Sequence, residues 1–324
     1  MVEVNEPEDV QSEAPTVSVL INCYNGEKYL NDAIDSVYTQ TFKNWEIIFW
    51  DNASTDNSAE VAKRYDNKLK YFRGGNTVPL YAARNYALKE ARGEYIAILD
   101  CDDLWLLTKL EEQIPLLEKD EKVGLVYSDA FLFNQIGKER RQFGITKPYR
   151  GNVFSELLFS NFINTQTVVI RKKAIDNLEY WFDIDLIWAG DFDIYLRICY
   201  KWKVDYVDRA LARYRVHRGS ATFKKSRECL VTEYNLLLGK IYKNFSDFEY
   251  RYPEGDRGLR RIRDIELSLL DWENGDKKRA RKRLNAYIKD RALYSVLYFL
   301  MYFPYRYVYY PCLRVYNKSM RNFT

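Results

Sequence analysis

One stretch of the sequence decides the fold: Glu94-Tyr-Ile-Ala-Ile-Leu99, followed at once by Asp100-Cys-Asp-Asp103. The apolar run predicts a buried strand, and three carboxylates follow at its carboxyl end. Like charges this close repel one another unless a cation or hydrogen-bond donors offset them. The stretch therefore predicts a strand that delivers an acidic cluster to one edge of a sheet.

The residues before this stretch alternate between strand and helix patterns. Short apolar runs and helical spacings follow one another at Val17–Ile21, Glu27–Gln40, Glu46–Trp50, Asn57–Tyr65, Leu69–Phe72 and Pro79–Arg92. This alternation predicts an α/β fold with a mostly parallel, Rossmann-like sheet flanked by helices. Ligands of such sheets bind beyond the carboxyl ends of the strands. We therefore expect Cys23-Tyr24-Asn25, Asp51-Asn52 and Asp100 to Asp103 to share one crevice.

Composition limits the class of protein. The chain has 324 residues, 47% of them apolar and 30% charged, which is typical of a globular protein with more than one domain. A net charge of +4 is too small to predict a nucleic-acid partner. Five scattered cysteines predict neither disulfides nor a zinc site and favour a reducing compartment. Residues 1–15 are acidic without an apolar core, so we expect a disordered tail and no signal peptide.

Two acidic clusters carry candidate chemistry. Hard oxygen ligands at Asp100 to Asp103 suit Mg²⁺ or Mn²⁺, which bridges to diphosphate oxygens and stabilises a departing nucleotide diphosphate. The alternative is an acidic loop in which Asp102 or Asp103 caps a helix. Asp51 can accept hydrogen bonds from a base or ribose. Its alternative is a polar turn with Asp56 or Asn57 as the cap of the next helix.

Four segments, in this order and spacing, closely resemble the family 2 glycosyltransferases of bacterial surface-glycan synthesis. They are Thr16-Val-Ser-Val-Leu-Ile-Asn-Cys-Tyr-Asn-Gly, Asp51-Asn-Ala-Ser-Thr-Asp, Ala83-Arg-Asn-Tyr-Ala-Leu and Leu99-Asp-Cys-Asp-Asp-Leu-Trp. The resemblance runs from about Thr16 to Thr222. It implies a GT-A fold, a metal-assisted site for a nucleotide-sugar donor, by family habit a UDP-sugar, and inversion at the anomeric carbon.

The resemblance also implies roles for donor-side residues. Tyr24 and Asn25 would line the base pocket, Asp51 would contact the uracil or ribose beside Asn52, and Arg84 would lie beside the base. Asp100 and Asp102 match the DxD motif of the family, and the sequence leaves open whether Asp102 or Asp103 is the direct metal ligand.

His217 is the only histidine of the chain and stands in Tyr214-Arg-Val-His-Arg-Gly-Ser. A lone histidine is more often an ordinary surface or core residue. The resemblance implies instead that this segment closes over the diphosphate, with His217 as a metal ligand or phosphate contact. Arg215, Arg218 and Ser220 are weaker candidates for the same pocket.

The acceptor side resembles the family around Trp188-Ala-Gly-Asp191. Asp191 would be the general base that deprotonates the acceptor hydroxyl, or alternatively the cap of a helix over Phe192–Tyr200. Gly190 departs from the family, which often has Glu there. The polar side chains of Asn164 and Thr165, together with Trp188, would contact the acceptor. Trp105, Trp181 and Trp188 can also simply pack in the core.

From residue 227 the pattern becomes helical, at Glu228–Tyr242, Arg257–Trp272 and Asp276–Lys289. We therefore expect a catalytic domain over 16–226 and a C-terminal helical region over 227–324. Ala292–Tyr305 is an uncharged run of 14 residues behind a basic helix, too short to span a bilayer. It predicts an interfacial helix and a peripheral protein on the cytoplasmic face of the membrane. The alternative is packing on the catalytic domain or on a second copy in a homo-oligomer.

These observations favour an inverting, metal-dependent transferase of a hexosyl or N-acetylhexosaminyl group. It would form a β-linkage from an α-linked donor, on a glycan acceptor carried by a polyprenyl diphosphate. A sugar-nucleotide pyrophosphorylase shares the architecture, but it would show a Gly-rich basic loop where this chain has Asn22-Cys-Tyr-Asn-Gly26. A non-catalytic glycan-binding scaffold is the other alternative, against which the intact carboxylates Asp100, Asp102 and Asp191 argue.

Overall fold

A computed structural model of the chain describes residues 14–134, 139–144, 146–217, 219, 226–245 and 247–308. The predicted tail up to residue 13, Arg218, Ser220, and the last 16 residues with Cys312 lie outside the described residues. The four cysteines in the described range, Cys23, Cys101, Cys199 and Cys229, are free thiols.

Nine strands and twelve α-helices are present within the described residues. The strands are Val17–Cys23 (β1), Trp45–Asp51 (β2), Leu69–Arg73 (β3), Tyr95–Ile98 (β4), Leu104–Trp105 (β5), Val123–Asn134 (β6), Glu139–Arg141 (β7), Val169–Arg171 (β8) and Lys203–Val216 (β9). The helices are Glu27–Tyr38 (α1), Ser58–Ala62 (α2), Leu80–Glu90 (α3), Lys109–Lys119 (α4), Phe154–Phe159 (α5), Lys172–Asp176 (α6), Gly190–Lys201 (α7), Arg227–Asn244 (α8), Phe248–Arg251 (α9), Pro253–Glu273 (α10), Lys277–Leu284 (α11) and Ala292–Leu300 (α12).

The strands form one sheet in the order β3-β2-β1-β4-β8-β6-β9-β5, with β7 paired to β6. The first four are parallel to one another, as predicted. Beyond β4 the sheet is mixed, because β8 runs antiparallel to β4 and β6, and β5 runs antiparallel to β9. The predicted α/β fold with a largely parallel sheet and flanking helices is confirmed for the strands up to Leu99, where the predicted strand–helix alternation ends. Beyond that residue, β6 and β9 form a further parallel pair within the mixed part of the sheet.

The parallel strands bring the predicted clusters to one edge. Cys23 lies beside Asp51 in the register of β1 and β2, and Leu20 lies beside Ile98 in that of β1 and β4. Both faces of these strands are buried, because α1 packs on one face and α3 on the other. The ends of β1, β2 and β4 therefore meet at one edge of the sheet.

The C-terminal helices belong to two different cores. The buried side chains of α8, including Leu237 and Ile241, and Leu259 of α10 pack within the core of the sheet. A second, smaller core surrounds Trp272 and contains Tyr294 and Met301. The hydrophobic cores therefore divide inside α10, and the domain boundary at residue 226 stays a prediction. None of the helices in the described ranges is long and apolar enough to cross a membrane.

Candidate active site

Backbone and side chains of two loops join the ends of β1 and β2. The amide of Asn25 donates to Ser54 Oγ at 3.0 Å, and Asn25 Oδ1 accepts from the amide of Thr55 at 2.8 Å. Asn25 has φ 52°, a left-handed conformation that asparagine tolerates better than most residues. The amide of Gly26 donates to Ser58 Oγ at 3.0 Å. These bonds fix one wall of the crevice, from which the ring of Tyr24 projects half-exposed.

Asp51 and Asn52 lie inside this wall. The fully buried carboxylate of Asp51 accepts hydrogen bonds from the Tyr71 hydroxyl at 2.7 Å and from Arg73 Nη1 at 2.5 Å. The Asn52 side chain exchanges two hydrogen bonds with the backbone of Val78, at 2.8 and 3.1 Å. Both side chains are thus engaged by the protein. The predicted contact of Asp51 with a base stays a prediction.

A cavity of about 580 Å³ opens between this wall and the end of β9. Its lining residues are Tyr24, Asn25, Gly26, Lys28, Tyr29, Cys101, Asp102, Val216, His217 and Gly219. The structure therefore brings together four residues that the sequence predicted: Tyr24, Asn25, Asp102 and His217. Lys28 was not predicted, although its place in the first turn after β1 was a signal, because helix starts and basic side chains both favour phosphate.

Asp102 and Asp103 of the acidic cluster lie in different surroundings. Asp102 lines the cavity, with Oδ2 2.8 Å from His217 Nε2, and burial together with Asp100 raises the pKa of Asp102. Asp103 is buried, and its Oδ1 accepts from the amide of Arg215 at 2.6 Å. Burial raises the pKa of Asp103 well above its ordinary value. Asp103 therefore fixes β9 beside the loop, and Asp102 faces the cavity.

Asp102 and His217, the two predicted metal ligands on the cavity, are adjacent to each other. In the part of the chain that the structure describes, no group of three acidic, histidine or cysteine side chains is arranged around a common point. Mg²⁺ and Mn²⁺ sites of phosphate-transferring enzymes commonly take one or two protein ligands and fill the rest with phosphate and water. His217 Nδ1 accepts from the Gly219 amide at 3.2 Å, so the neutral ring carries its proton on Nε2. Asp102 is therefore the readier ligand of the two.

Arg84 links the acidic loop after β4 to the first turn of α7. Its buried guanidinium, 1% exposed, pairs through Nη2 with Asp100 at 2.8 Å and through Nη1 with Asp191. Arg84 does not line the cavity with Tyr24, and its predicted place beside the base stays a prediction. A buried cation requires carboxylate partners, and α3 supplies Arg84 to these two acids.

Each of these acids has further partners. Asp100 accepts from Gln166 Nε2 at 2.5 Å, and its amide donates to Gln166 Oε1 at 2.8 Å. Asp191 Oδ2 accepts from Thr165 Oγ1 at 2.9 Å. Asn164 Oδ1 accepts from the amide of Gln166 at 3.1 Å and so shapes the turn that carries Thr165. Of the predicted acceptor residues, Thr165 thus contacts the candidate base, and Asn164 positions Thr165.

Asp191 lies in the first turn of α7, one residue after the helix begins. The residue at the cap position is Ala189, so Asp191 is not the helix cap that the alternative reading required. A β-carbon at Gly190 would lie 2.5 Å from Cε2 of the Tyr81 ring. The tyrosine therefore occupies the space that the Glu of the family would need, which explains the departure at this position.

Glu233 of α8 holds the segment before Asp191 and was missed by the sequence analysis. Its buried carboxylate accepts hydrogen bonds from the backbone amides of Ile187 at 2.6 Å, of Trp188 at 2.9 Å and of Ala189 at 2.8 Å. These amides belong to the three residues that precede α7, so Glu233 fixes the segment that leads into that helix. A signal was present, because Glu233 shares the apolar stripe of Leu237 and Ile241. A charged residue on a buried stripe needs partners.

We expect Glu233→Gln to lower kcat for transfer about tenfold and to leave the KM for the donor unchanged. Glutamine keeps the shape but faces amide donors with an amide nitrogen, so the segment before Asp191 loses bonds. The free energy of unfolding should fall by about 1–3 kcal/mol. Glu228→Gln, an exposed glutamate of the same helix, is the matched control. Equal kinetics for both variants would contradict a positioning role for Glu233.

The three tryptophans considered in the sequence analysis differ in their burial and contacts. Trp105 is buried, and its Nε1 donates to the carbonyl of Gln166 at 2.9 Å. Trp181 packs partly buried against the main core. Both therefore follow the alternative of core packing. Trp188 is half-buried next to the base segment, where its backbone is held by Glu233, and its contact with an acceptor stays a prediction.

Comparisons with known proteins agree with this fold. Residues 18–178 match the model of glycosyl transferase family 2. A mannosyltransferase of Pyrobaculum calidifontis, solved with GDP-Man and Mn²⁺, superposes with a TM-score of 0.62 at 19% identity, over 93% of this chain and 86% of that one. The Staphylococcus aureus protein TarS, solved with UDP-GlcNAc, gives a TM-score of 0.63 at 18% identity, over 85% and 81%. At such identities the likeness shows the fold, which is GT-A.

Two relatives are closer in sequence. An uncharacterized glycosyltransferase of Methanocaldococcus jannaschii is 30% identical over 70% of this chain and 80% of its own length. The Escherichia coli protein WfaP, a UDP-Glc:α-D-GlcNAc-diphosphoundecaprenol β-1,3-glucosyltransferase, is 32% identical over 68% of this chain and 85% of its own. On these similarities and on its GT-A fold, the chain belongs to glycosyl transferase family 2.

Proposed function

We propose that the chain transfers a hexosyl or N-acetylhexosaminyl group from a UDP-sugar to a hydroxyl of a lipid-linked glycan, with inversion. The observation that carries the proposal is the buried Arg84, which joins Asp100 at the donor side to Asp191 at the acceptor side. The acid that faces the leaving group and the acid that faces the nucleophile are thereby held a fixed distance apart.

Asp191 is the general base of this proposal. One of its carboxylate oxygens takes the proton of the acceptor hydroxyl as the hydroxyl oxygen attacks the anomeric carbon. The bond from that carbon to the phosphate oxygen breaks on the opposite face, and the nucleoside diphosphate leaves. A single displacement inverts the carbon, so an α-linked donor gives a β-linkage. Arg84 and Thr165 orient the carboxylate.

The cavity beside Tyr24 is the proposed donor site. Tyr24 and Asn25 would flank the base, while Asp102 and His217 would hold Mn²⁺ or Mg²⁺. When bound, the ion offsets the negative charge that develops on the departing diphosphate. Lys28 lines the same cavity and adds a positive charge near the phosphates. The Mn²⁺ in the Pyrobaculum mannosyltransferase supports a metal at this kind of site.

The acceptor class rests on the relatives. The Escherichia coli WfaP and WfgD proteins act on α-D-GlcNAc-diphosphoundecaprenol, and they are 32% and 28% identical to this chain. We propose a polyprenyl diphosphate acceptor of this type, and therefore a role in polysaccharide synthesis at the cytoplasmic face of the membrane. The glucosyl donor of those relatives makes UDP-glucose the first donor to test.

Asp102→Ala should abolish the stabilisation of the protein by a UDP-sugar with Mn²⁺, because it removes the readier metal ligand. Thermal unfolding is followed across a panel of nucleotide-sugars, with and without Mn²⁺ and after chelation. Wild type should rise in Tm with one donor only when the metal is present. Asp208→Ala, an exposed aspartate, is the control and should behave as wild type. A wild type that no nucleotide-sugar stabilises would remove the basis of the donor site.

A further inference from the structure

One side of the C-terminal helical region is apolar and exposed, and we call it the aromatic face. Its members are between 48% and 64% exposed within the part of the chain that the structure describes: Leu293, Val296, Phe299, Tyr302, Phe303 and Tyr307. The opposite side of the same segment fills the small core, where Tyr294, Met301 and Tyr305 surround Trp272. The aromatic residues of this segment thus fall into two groups, of which only one is used for internal packing.

The aromatic face lacks the polar side chains that a helix normally presents to water. Its residues recur at three- and four-residue spacing from Leu293 to Tyr307, and no charged residue stands between Arg291 and Arg306. Ser295, the polar residue of α12, donates its hydroxyl to the carbonyl of Ile288 at 2.9 Å. A continuous apolar patch of this kind on a soluble domain marks an interaction surface.

Positive charge is concentrated around the aromatic face. Residues 277–308 contain nine lysines and arginines and one acidic residue, Asp290, which pairs with Arg257 at 2.8 Å. The segment therefore carries +8, whereas the whole chain carries +4 and the remainder is net −4. The guanidinium of Arg281 lies 3.9 Å from the Tyr302 ring centroid, and that of Arg306 lies 4.7 Å from the Tyr307 ring centroid. The basic groups thus border the apolar ones directly.

We propose that the aromatic face binds an anionic lipid bilayer and lies in its headgroup region. Tyrosine and phenylalanine with a basic border are typical of interfacial helices, and anionic lipid attracts clustered lysine and arginine. A second copy of the chain fits less well, because a twofold contact would set the basic border against its own symmetry mate. The proposal deepens the proposed function, since a lipid-linked acceptor lies at the same surface.

Vesicle flotation with the full chain tests this proposal. Wild type should float with vesicles of phosphatidylcholine and phosphatidylglycerol and remain mostly unbound with phosphatidylcholine alone. Binding should weaken as salt is raised, because screening removes the electrostatic part. Analytical ultracentrifugation without vesicles measures self-association, so occupation of the face by a second copy appears as a dimer.

Variants distinguish vesicle binding through the aromatic face from nonspecific adsorption of exposed apolar residues. Leu293→Ser with Phe299→Ser should reduce the vesicle partition coefficient at least about tenfold, because each buried side chain of this size favours the apolar phase by about that factor. Leu107→Ser with Tyr250→Ser, an exposed leucine and aromatic residue elsewhere, is the matched control. Lys278→Glu with Lys282→Glu, both on exposed positions of α11, should remove the preference for phosphatidylglycerol.

The outcomes separate this proposal from the transferase itself. Transfer to a water-soluble acceptor with a shortened lipid should be the same in wild type and in Leu293→Ser with Phe299→Ser. The lipid proposal would be overturned if wild type bound neither kind of vesicle. It would also be overturned if wild type formed a dimer that the serine variant abolished. Either result would leave the proposed transferase activity intact. Absent transfer in wild type that nevertheless floats would overturn the proposed function and leave the lipid surface intact.

Discussion

Asp191→Asn should reduce transfer to the acceptor by about 10³-fold, within the usual range for removing a general base. Asparagine keeps one oxygen that accepts from Arg84, and its amide nitrogen can donate to the Thr165 hydroxyl, but it cannot accept the proton of the attacking hydroxyl. Donor binding should be unchanged, because Asp191 does not line the donor cavity. Single-turnover transfer and Tm in the presence of donor and Mn²⁺ measure the two effects separately.

Two further measurements sharpen this expectation. Asp191→Glu keeps the carboxylate but moves it by one methylene group, so we expect activity between those of wild type and the asparagine variant. Asp193→Asn is not a suitable control, because Asp193 is buried in an ion pair with Arg197. Exposed Asp208 is the better one. An asparagine variant with more than about a tenth of wild-type transfer would assign proton removal to another group.

Arg84→Met should lower the free energy of unfolding by about 3–5 kcal/mol, as expected when one partner of a buried ion pair is removed. The variant leaves Asp100 and Asp191 facing each other without the cation between them. Arg84→Lys keeps the positive charge, so its loss of unfolding free energy should be smaller than that of Arg84→Met. Some stability should still be lost, because a single ammonium cannot pair with both carboxylates as the guanidinium does. Urea denaturation of both variants measures the difference.

Arg209→Met is the control for this effect, because Arg209 pairs with Glu112 on the surface and should contribute at most about 1 kcal/mol. The double variant Arg84→Met with Asp191→Asn should recover part of the lost stability, since one of the two stranded charges is gone. An Arg84→Met protein as stable as the Arg209→Met protein would show that the buried bridge contributes nothing.

Much of the fold was predictable because it is local in sequence. The strands up to Leu99 carry buried apolar runs, and the helices between them have clear 3.6-residue spacing, so their order and parallel pairing follow. The helices after residue 226 were also predicted from their spacing, as α8, α10 and α11. The mixed half of the sheet was not, because β8 and β9 pair with strands far along the chain. No local pattern specifies such partners.

The candidate site was predictable in its members more than in their arrangement. Sequence order placed Asp102 and His217 among the candidates, but only the fold separates Asp102, on the cavity, from its buried neighbour Asp103. Glu233 lies 42 residues after Asp191 in the sequence and contacts the segment before Asp191 through the packing of α8. Such a contact depends on which side chains of a distant helix face the core. From residue spacing alone, Glu233 is visible only as a charged residue on an apolar stripe, without its partners.

The close approach of Tyr81 to Gly190 has a consequence for how the site can vary among relatives. A side chain at position 190 cannot coexist with the tyrosine ring in this arrangement, since its β-carbon would lie 2.5 Å from that ring. The two positions are therefore constrained as a pair. Relatives that carry an acid next to the base should have a smaller residue where this chain has Tyr81, and the two should change together in evolution.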